Sequence, residues 1–278
     1  MTEHFVELHG ERVPVVPEFP GQAKLIEAFL GFAAFKDWCK NLDTNLVVTK
    51  IILQGVDFFG KTRVGFAKMK VEATSKISGS RVPGIVFLRG GAVVALVIFK
   101  CEGEEYALVC KQARVPIGYA SSLEIPAGML DGEGHFMGVA VKELQEETGL
   151  EIPPSELIDM THLVYGHKEG TGHPSTYRTH LVYGHKEGTG HPSTYRGVCP
   201  SGGGCDEFLR FFLHRTTVTK EVIETLRGSV KGEDAHEHIT LDVLPLIDLV
   251  AESPNAGSVI AYGLYRHLLD TGKLPKEY

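Results

Sequence analysis

No Cys-x-x-Cys pair occurs in the sequence, and the five cysteines, Cys39, Cys101, Cys110, Cys199 and Cys205, are odd in number. That pattern argues against a disulfide-stapled secreted scaffold and fits reduced thiols in a reducing compartment. Cys199 and Cys205 could supply half of a zinc site, but no matching pair stands elsewhere. Long apolar runs are also lacking. The longest, residues 92–99, falls well short of the ~20 residues a membrane-spanning helix needs, and its β-branched residues mark it as a buried strand. There is no basic cluster, and a formal charge of −7 argues against a general nucleic-acid binder. An acidic protein still binds an anionic ligand when a metal ion inverts the local field. The opening residues carry acids and neither an apolar nor an Arg/Ser-rich leader, and the final Pro-Lys-Glu-Tyr matches no sorting signal. The expectation is a cytoplasmic protein with no membrane and no nucleic-acid partner.

What is present is an ordinary globular composition, 43% apolar and 23% charged over 278 residues, enough for one large domain or two small ones. Residues 1–80 read as an appendage: a strand-like start punctuated by Pro14, Pro17 and Pro20, one helix over about 22–40, and strands at 46–53 and 63–72. Strands that short would not stand alone, so this region is expected to pair with the following domain or with a second subunit. From Pro83 the chain alternates strands (84–89, 92–100, 106–112, 122–125, 208–215, 238–243) with helices (136–148, 220–227, 244–250, 258–269). The order suggests a helix/sheet/helix sandwich.

Residues 161–178 recur without a change as 179–196. Solenoid repeats drift and need several copies, so two perfect copies mark a tandem duplication or an error in gene assembly. The six histidines inside it were copied with everything else and make no case for a metal site. Only one Thr-His-Leu-Val-Tyr is expected to fill a strand, with the other copy protruding as a loop.

The chemistry concentrates in residues 128–150. Phe136–Thr148 has no internal proline and stops at Gly149, as a helix should. On that helix Glu143, Glu146 and Glu147 lie at i, i+3 and i+4, so their carboxylates share a side, while Val139, Val141 and Leu144 can anchor it to a core. Crowded carboxylates repel unless a cation sits among them, and hard oxygen ligands suit Mg2+ or Mn2+ shared with substrate phosphates. A solvated acidic helix face is the plain alternative for such a trio taken alone.

The whole stretch resembles the signature of the Nudix hydrolases: Gly, five residues, Glu, seven residues, Arg-Glu, an aliphatic, any residue, Glu-Glu, any residue, Gly, an aliphatic. The spacing from Gly128 to Leu150 fits without a gap; Gly134 replaces the expected loop glutamate and Lys142 the expected arginine. Further stretches resemble the plant-type ADP-sugar diphosphatases of that family: Glu124-Ile125-Pro126-Ala127-Gly128, Gln112-Ala113-Arg114, residues 200–207 (Pro-Ser-Gly-Gly-Gly-Cys-Asp-Glu), 54–61 and 82–87. The likeness thus covers nearly the whole chain from about residue 50, apart from the duplication.

The resemblance implies an α/β fold, a Nudix α/β/α sandwich with a mixed sheet over residues 81–278, preceded by a small α+β region at 1–80 that serves dimerisation. It implies Mg2+-dependent (or Mn2+-dependent) hydrolysis of a nucleoside diphosphate sugar, ADP-ribose or ADP-glucose, to AMP and a sugar phosphate by a homodimer. Glu143, Glu146, Glu147 and the carbonyl of Ala127 would be metal ligands, though residues 126–128 also read as a simple turn. Arg114, with Gln112 beside it, would contact phosphate, against the alternative of a surface arginine next to Lys111. Gly203 and Gly204 would bring backbone amides to an anionic ligand, or merely form a flexible turn. Glu237, with Glu233 in reserve, would deprotonate the attacking water, against a hydrophilic surface loop or a role for His236 or His238. A UDP-sugar or dinucleoside polyphosphate substrate, or a nucleotide sensor without turnover, are the other readings.

Overall fold

The computed structural model describes residues 3–130, 136–165, 197–231 and 238–274. They fall into two units, one reaching Gly91 and including Cys199–Phe208, the other built from Ala92 onward.

In the first unit β1 (His4–Leu8) and β2 (Glu11–Pro17) form a hairpin turned at His9 and Gly10, both at positive φ. The expected single helix over 22–40 is instead a 3-10 turn at Pro20–Leu25, then α1 (Ile26–Gly31) and α2 (Ala33–Lys40). Phe32 breaks it, with an extended backbone (φ −64°, ψ 128°) directly after Gly31. The two following strands run longer than expected: β3 (Leu46–Phe59) and β4 (Arg63–Ser75) carry the ladder through residues 54–59, with register shifts after Leu53 and Asp57 absorbing the misfit. With β5 (Arg81–Val82) and β6 (Ile85–Leu88) they complete a six-stranded sheet. Phe29, Phe35, Ile51, Leu53 and Met69 form a core of its own, so length does not limit this unit as the sequence suggested.

The second unit is organised on β7 (Ala92–Cys101), buried along nearly its whole length. Its neighbours are β8 (Glu104–Arg114), β9 (Tyr119–Glu124), β10 (Ala127–Met129), β11 (Ile158–Asp159), β12 (Leu209–Thr217), β13 (Val230–Lys231) and β14 (Ile239–Pro245). The sheet is mixed: β12 runs parallel to β7, while β8 and β10 run antiparallel to it. Because side chains alternate across a strand, β7 feeds two cores. Val94, Leu96 and Ile98 pack with Leu264, Tyr265 and Leu268 of a C-terminal helix; Val93, Ala95 and Val97 pack with Val139, Ala140 and Leu144 on the other face. This is the expected α/β/α sandwich. Its helices are α3 (Phe136–Thr148), α4 (Met160–Tyr165), α5 (Lys220–Leu226), α6 (Leu249–Glu252) and α7 (Ala256–Asp270). No described helix is long and apolar enough to cross a membrane.

One expectation changes. Residues 244–250 do not form one helix: Leu244 and Pro245 end β14, and a 3-10 turn separates them from α6. The first Thr-His-Leu-Val-Tyr copy, Thr161–Tyr165, is helical. The Asp159 carboxylate accepts the His162 amide at 2.8 Å and starts the turn, Thr161 Oγ1 accepts the Phe211 amide at 2.8 Å, and Ile158 and Asp159 already occupy the edge beside β12. The rest of the duplication, residues 166–196, lies outside the described residues.

Candidate active site

Helix α3 lies on the sheet because Val139, Ala140 and Leu144 make one buried stripe. It stops at Gly149, whose φ of +73° suits glycine and whose amide donates to the Gln145 carbonyl at 2.8 Å. The same stripe carries Glu147 inward, to 7% exposure. There its Oε2 accepts the Ala127 amide at 3.1 Å, tying the helix to β10. Gly128, next in β10, approaches α3 so closely that a Cβ would fall on the Glu143 carboxylate. Any side chain at this position would displace that carboxylate.

The three helix glutamates are not equivalent. Burial and the charge of Glu143 push the Glu147 carboxyl up to about 8. Glu146 instead pairs with Lys142 at 3.2 Å, one turn back along the helix. Among the described residues no three His, Cys, Asp or Glu side chains gather into a ready-made cation cage. What does gather is Glu143 and Glu147 beside Ala127. Two hard carboxylates that repel each other, one desolvated, are a donor set that suits a divalent cation, which would relieve both costs.

The hairpin of β8 and β9 brings further charge to the same place. Arg114 acts on Glu147 electrostatically, as does Glu124. Arg114 is partly exposed and paired. Its Nε and Nη2 donate to the two oxygens of Glu124 at 2.8 and 3.3 Å, while Lys111 is engaged with Asp242 at 2.6 Å. Gln112 pairs with Ser122, a register shift separating it from Arg114. Cys110, opposite Glu124 in the ladder, is fully buried, its thiol pushed up by desolvation and then by Glu147 and Glu124.

Glu124 and its second partner, Asn255, were missed from sequence. The signal for Glu124 was available: ten residues after Arg114, across a Pro-Ile-Gly turn, is hairpin spacing. Asn255 had none, because it is distant in sequence.

Gly203 and Gly204 belong to the first unit, where residues 202–206 join β6. Gly204 O accepts the Phe87 amide at 2.8 Å, and the Gly204 amide donates to Ser201 at 3.2 Å. The Asp206 carboxylate accepts the amides of Arg89 and Gly90 at 2.8 and 3.1 Å, and Glu207 pairs with Arg89 at 3.2 Å. The loop is stitched down by its own backbone. Glu233 and Glu237, and Gly134 before α3, lie outside the described residues.

The Glu147 environment gives a pH prediction for metal-free protein. The unfolded chain ionises this carboxyl near 4.5, while the folded chain holds the proton to about 8. The unfolded state thus binds fewer protons across that window, and stability falls as pH rises through it. The melting temperature of metal-free protein should drop between pH ~5 and ~8 more steeply than that of Glu147→Gln. Superimposable melting curves for the two proteins would remove Glu147 as the titrating group.

The NUDIX domain family matches residues 89–258. The chain is 35% identical over 272 residues to "Nudix hydrolase 14, chloroplastic" of Arabidopsis thaliana, covering 90% of this chain and 79% of that protein. It is 38% identical over 74 residues to an uncharacterized Nudix hydrolase of Schizosaccharomyces pombe, covering 27% of this chain and 34% of that protein. Among solved structures, one described as an ADP compounds hydrolase shares 14% identity at a TM-score of 0.44, covering 82% of this chain and 99% of that chain.

Proposed function

We propose that this chain, which belongs to the Nudix hydrolase family, splits the diphosphate bond of a nucleoside diphosphate sugar, ADP-ribose or ADP-glucose, into AMP and a sugar phosphate. Nudix hydrolases act on nucleoside diphosphate derivatives and generally use a divalent cation; the ion assigned here is Mg2+, with Mn2+ as its substitute. The observation that carries the reading is the approach of Glu143 and buried Glu147 to the Ala127–Gly128 backbone.

When bound, the cation neutralises the diphosphate and lowers the pKa of a bound water. Glu143 and Glu147 hold it, with the Ala127 carbonyl and with Glu146 once released from Lys142. Arg114 orients phosphate through its planar guanidinium. Glu237, or Glu233 in its place, takes the proton of the attacking water. The protein works as a homodimer in the cytoplasm, a location that five free thiols favour.

The test is to incubate protein with Mg2+ and ADP-ribose and measure AMP, with UDP-glucose and a dinucleoside polyphosphate as competitors and a chelator control. Nucleotide binding with no AMP release under any metal would make the protein a sensor. Faster cleavage of a competitor would reassign the substrate.

A further inference from the structure

We propose that Glu124 is the positioning residue for Arg114, and that Asn255 in turn fixes Glu124. The inference rests on the reading of Arg114 as a phosphate contact. Glu124 is 5% exposed, and a carboxylate is costly to bury unless its oxygens are satisfied. Here they are. Oε1 accepts Arg114 Nε at 2.8 Å, and Oε2 accepts both Arg114 Nη2 at 3.3 Å and Asn255 Nδ2 at 3.1 Å. Asn255 cannot swivel freely, since its Oδ1 caps α7 by accepting the Gly257 amide at 2.7 Å. That assigns oxygen to the helix and nitrogen to Glu124.

The backbone on either side of Glu124 is held by the same segment. Leu123 O accepts Ser253 Oγ at 2.6 Å, the Ile125 amide donates to Ser258 Oγ at 3.3 Å, and the two serine hydroxyls bond each other at 2.8 Å. Ser253 and Ser258 are completely buried. Three consecutive residues at the end of β9 are thus pinned to the start of α7, directly before the Pro126–Ala127 step that meets Glu147. A strand held only for stability would need apolar contacts; this seam also fixes the direction of a charged side chain.

The direction matters because a guanidinium presents two forks. Glu124 occupies the Nε/Nη2 side, which leaves the Nη1/Nη2 end for a bidentate phosphate. The Arg114 side chain is 41% exposed, so it is open to solvent. Glu124 neutralises part of the arginine's charge and supplies orientation instead, so its loss should be felt in substrate binding more than in the chemical step.

The test compares Arg114→Ala, Glu124→Gln, the double variant and Asn255→Ser. The serine keeps a capping oxygen for α7 and removes the donor to Glu124. KM and kcat are measured on whichever nucleotide substrate the wild type cleaves fastest, and inorganic pyrophosphate affinity with Mg2+ is measured by calorimetry. We expect Arg114→Ala to raise KM about thirtyfold, Glu124→Gln about tenfold and Asn255→Ser about threefold, with kcat within about twofold throughout. Pyrophosphate affinity should weaken in the same order. In the Arg114→Ala background Glu124→Gln should add nothing further. An effect of Glu124→Gln that persists undiminished without Arg114, or a folded Glu124→Gln with unchanged KM and pyrophosphate affinity, overturns the positioning role. If Arg114→Ala itself changes neither quantity, the phosphate-contact reading fails first. Should Glu124→Gln not fold, Asn255→Ser decides: unchanged KM and pyrophosphate affinity there refute the relay.

Discussion

Glu147→Gln should fold, keep its hydrogen bond to Ala127, and lose turnover by about a thousandfold or more. The amide has the size of the carboxyl, and its Oε1 can still accept the Ala127 amide now 3.1 Å from Oε2. What disappears is a buried negative charge that burial and Glu143 already disfavour. Metal-free Glu147→Gln should therefore melt at the same or a higher temperature than wild type near pH 8, while the gain on adding Mg2+ shrinks. Measuring kcat at saturating Mg2+ together with melting temperature with and without metal checks both halves. Turnover within tenfold of wild type would falsify the assignment of this carboxylate to cation binding.

Gly128→Ala should lower activity by displacing the Glu143 carboxylate. The added carbon meets the Glu143 Cδ, Oε1 and Cγ atoms, and only displacement of that side chain or of β10 relieves the clash. Because β10 is registered on β7 through Val93 and Val94, the side chain is what yields. Activity is expected to fall by about a hundredfold, with the Mg2+ concentration for half-maximal rate rising and the fold retained. The rate should be titrated against Mg2+ and secondary structure checked by circular dichroism. A variant with wild-type metal dependence would mean that Glu143 takes no part in holding the cation.

Much of this was legible in the residue order. Helix α3 is a local object: apolar spacing, the absence of proline and a terminal glycine define Phe136–Thr148, and the same spacing puts Glu143 and Glu147 together. The buried strand at 92–101 announced itself by composition, because a strand covered on both faces has no polar alternation. The pairing of Lys142 with Glu146 is also local, a four-residue helical step, and so was readable, although Lys142 drew notice only as a departure from arginine.

Other features depended on what the chain meets in three dimensions. Thr161–Tyr165 has strand-like residues but became a helix, since Asp159 caps it and the edge beside β12 was already taken. The helix over 22–40 split at Phe32, and the strand pair β3–β4 ran longer through bulges.

The sequence by itself determined which carboxylates share a helix and which strand fills the centre, because each follows from the pattern of a few neighbouring residues. Only the tertiary structure decided that Glu147 is buried, and that Glu124 meets Asn255 at the cap of α7. Burial and cross-strand pairing are set by segments far apart in the chain, and no short window of residues encodes them.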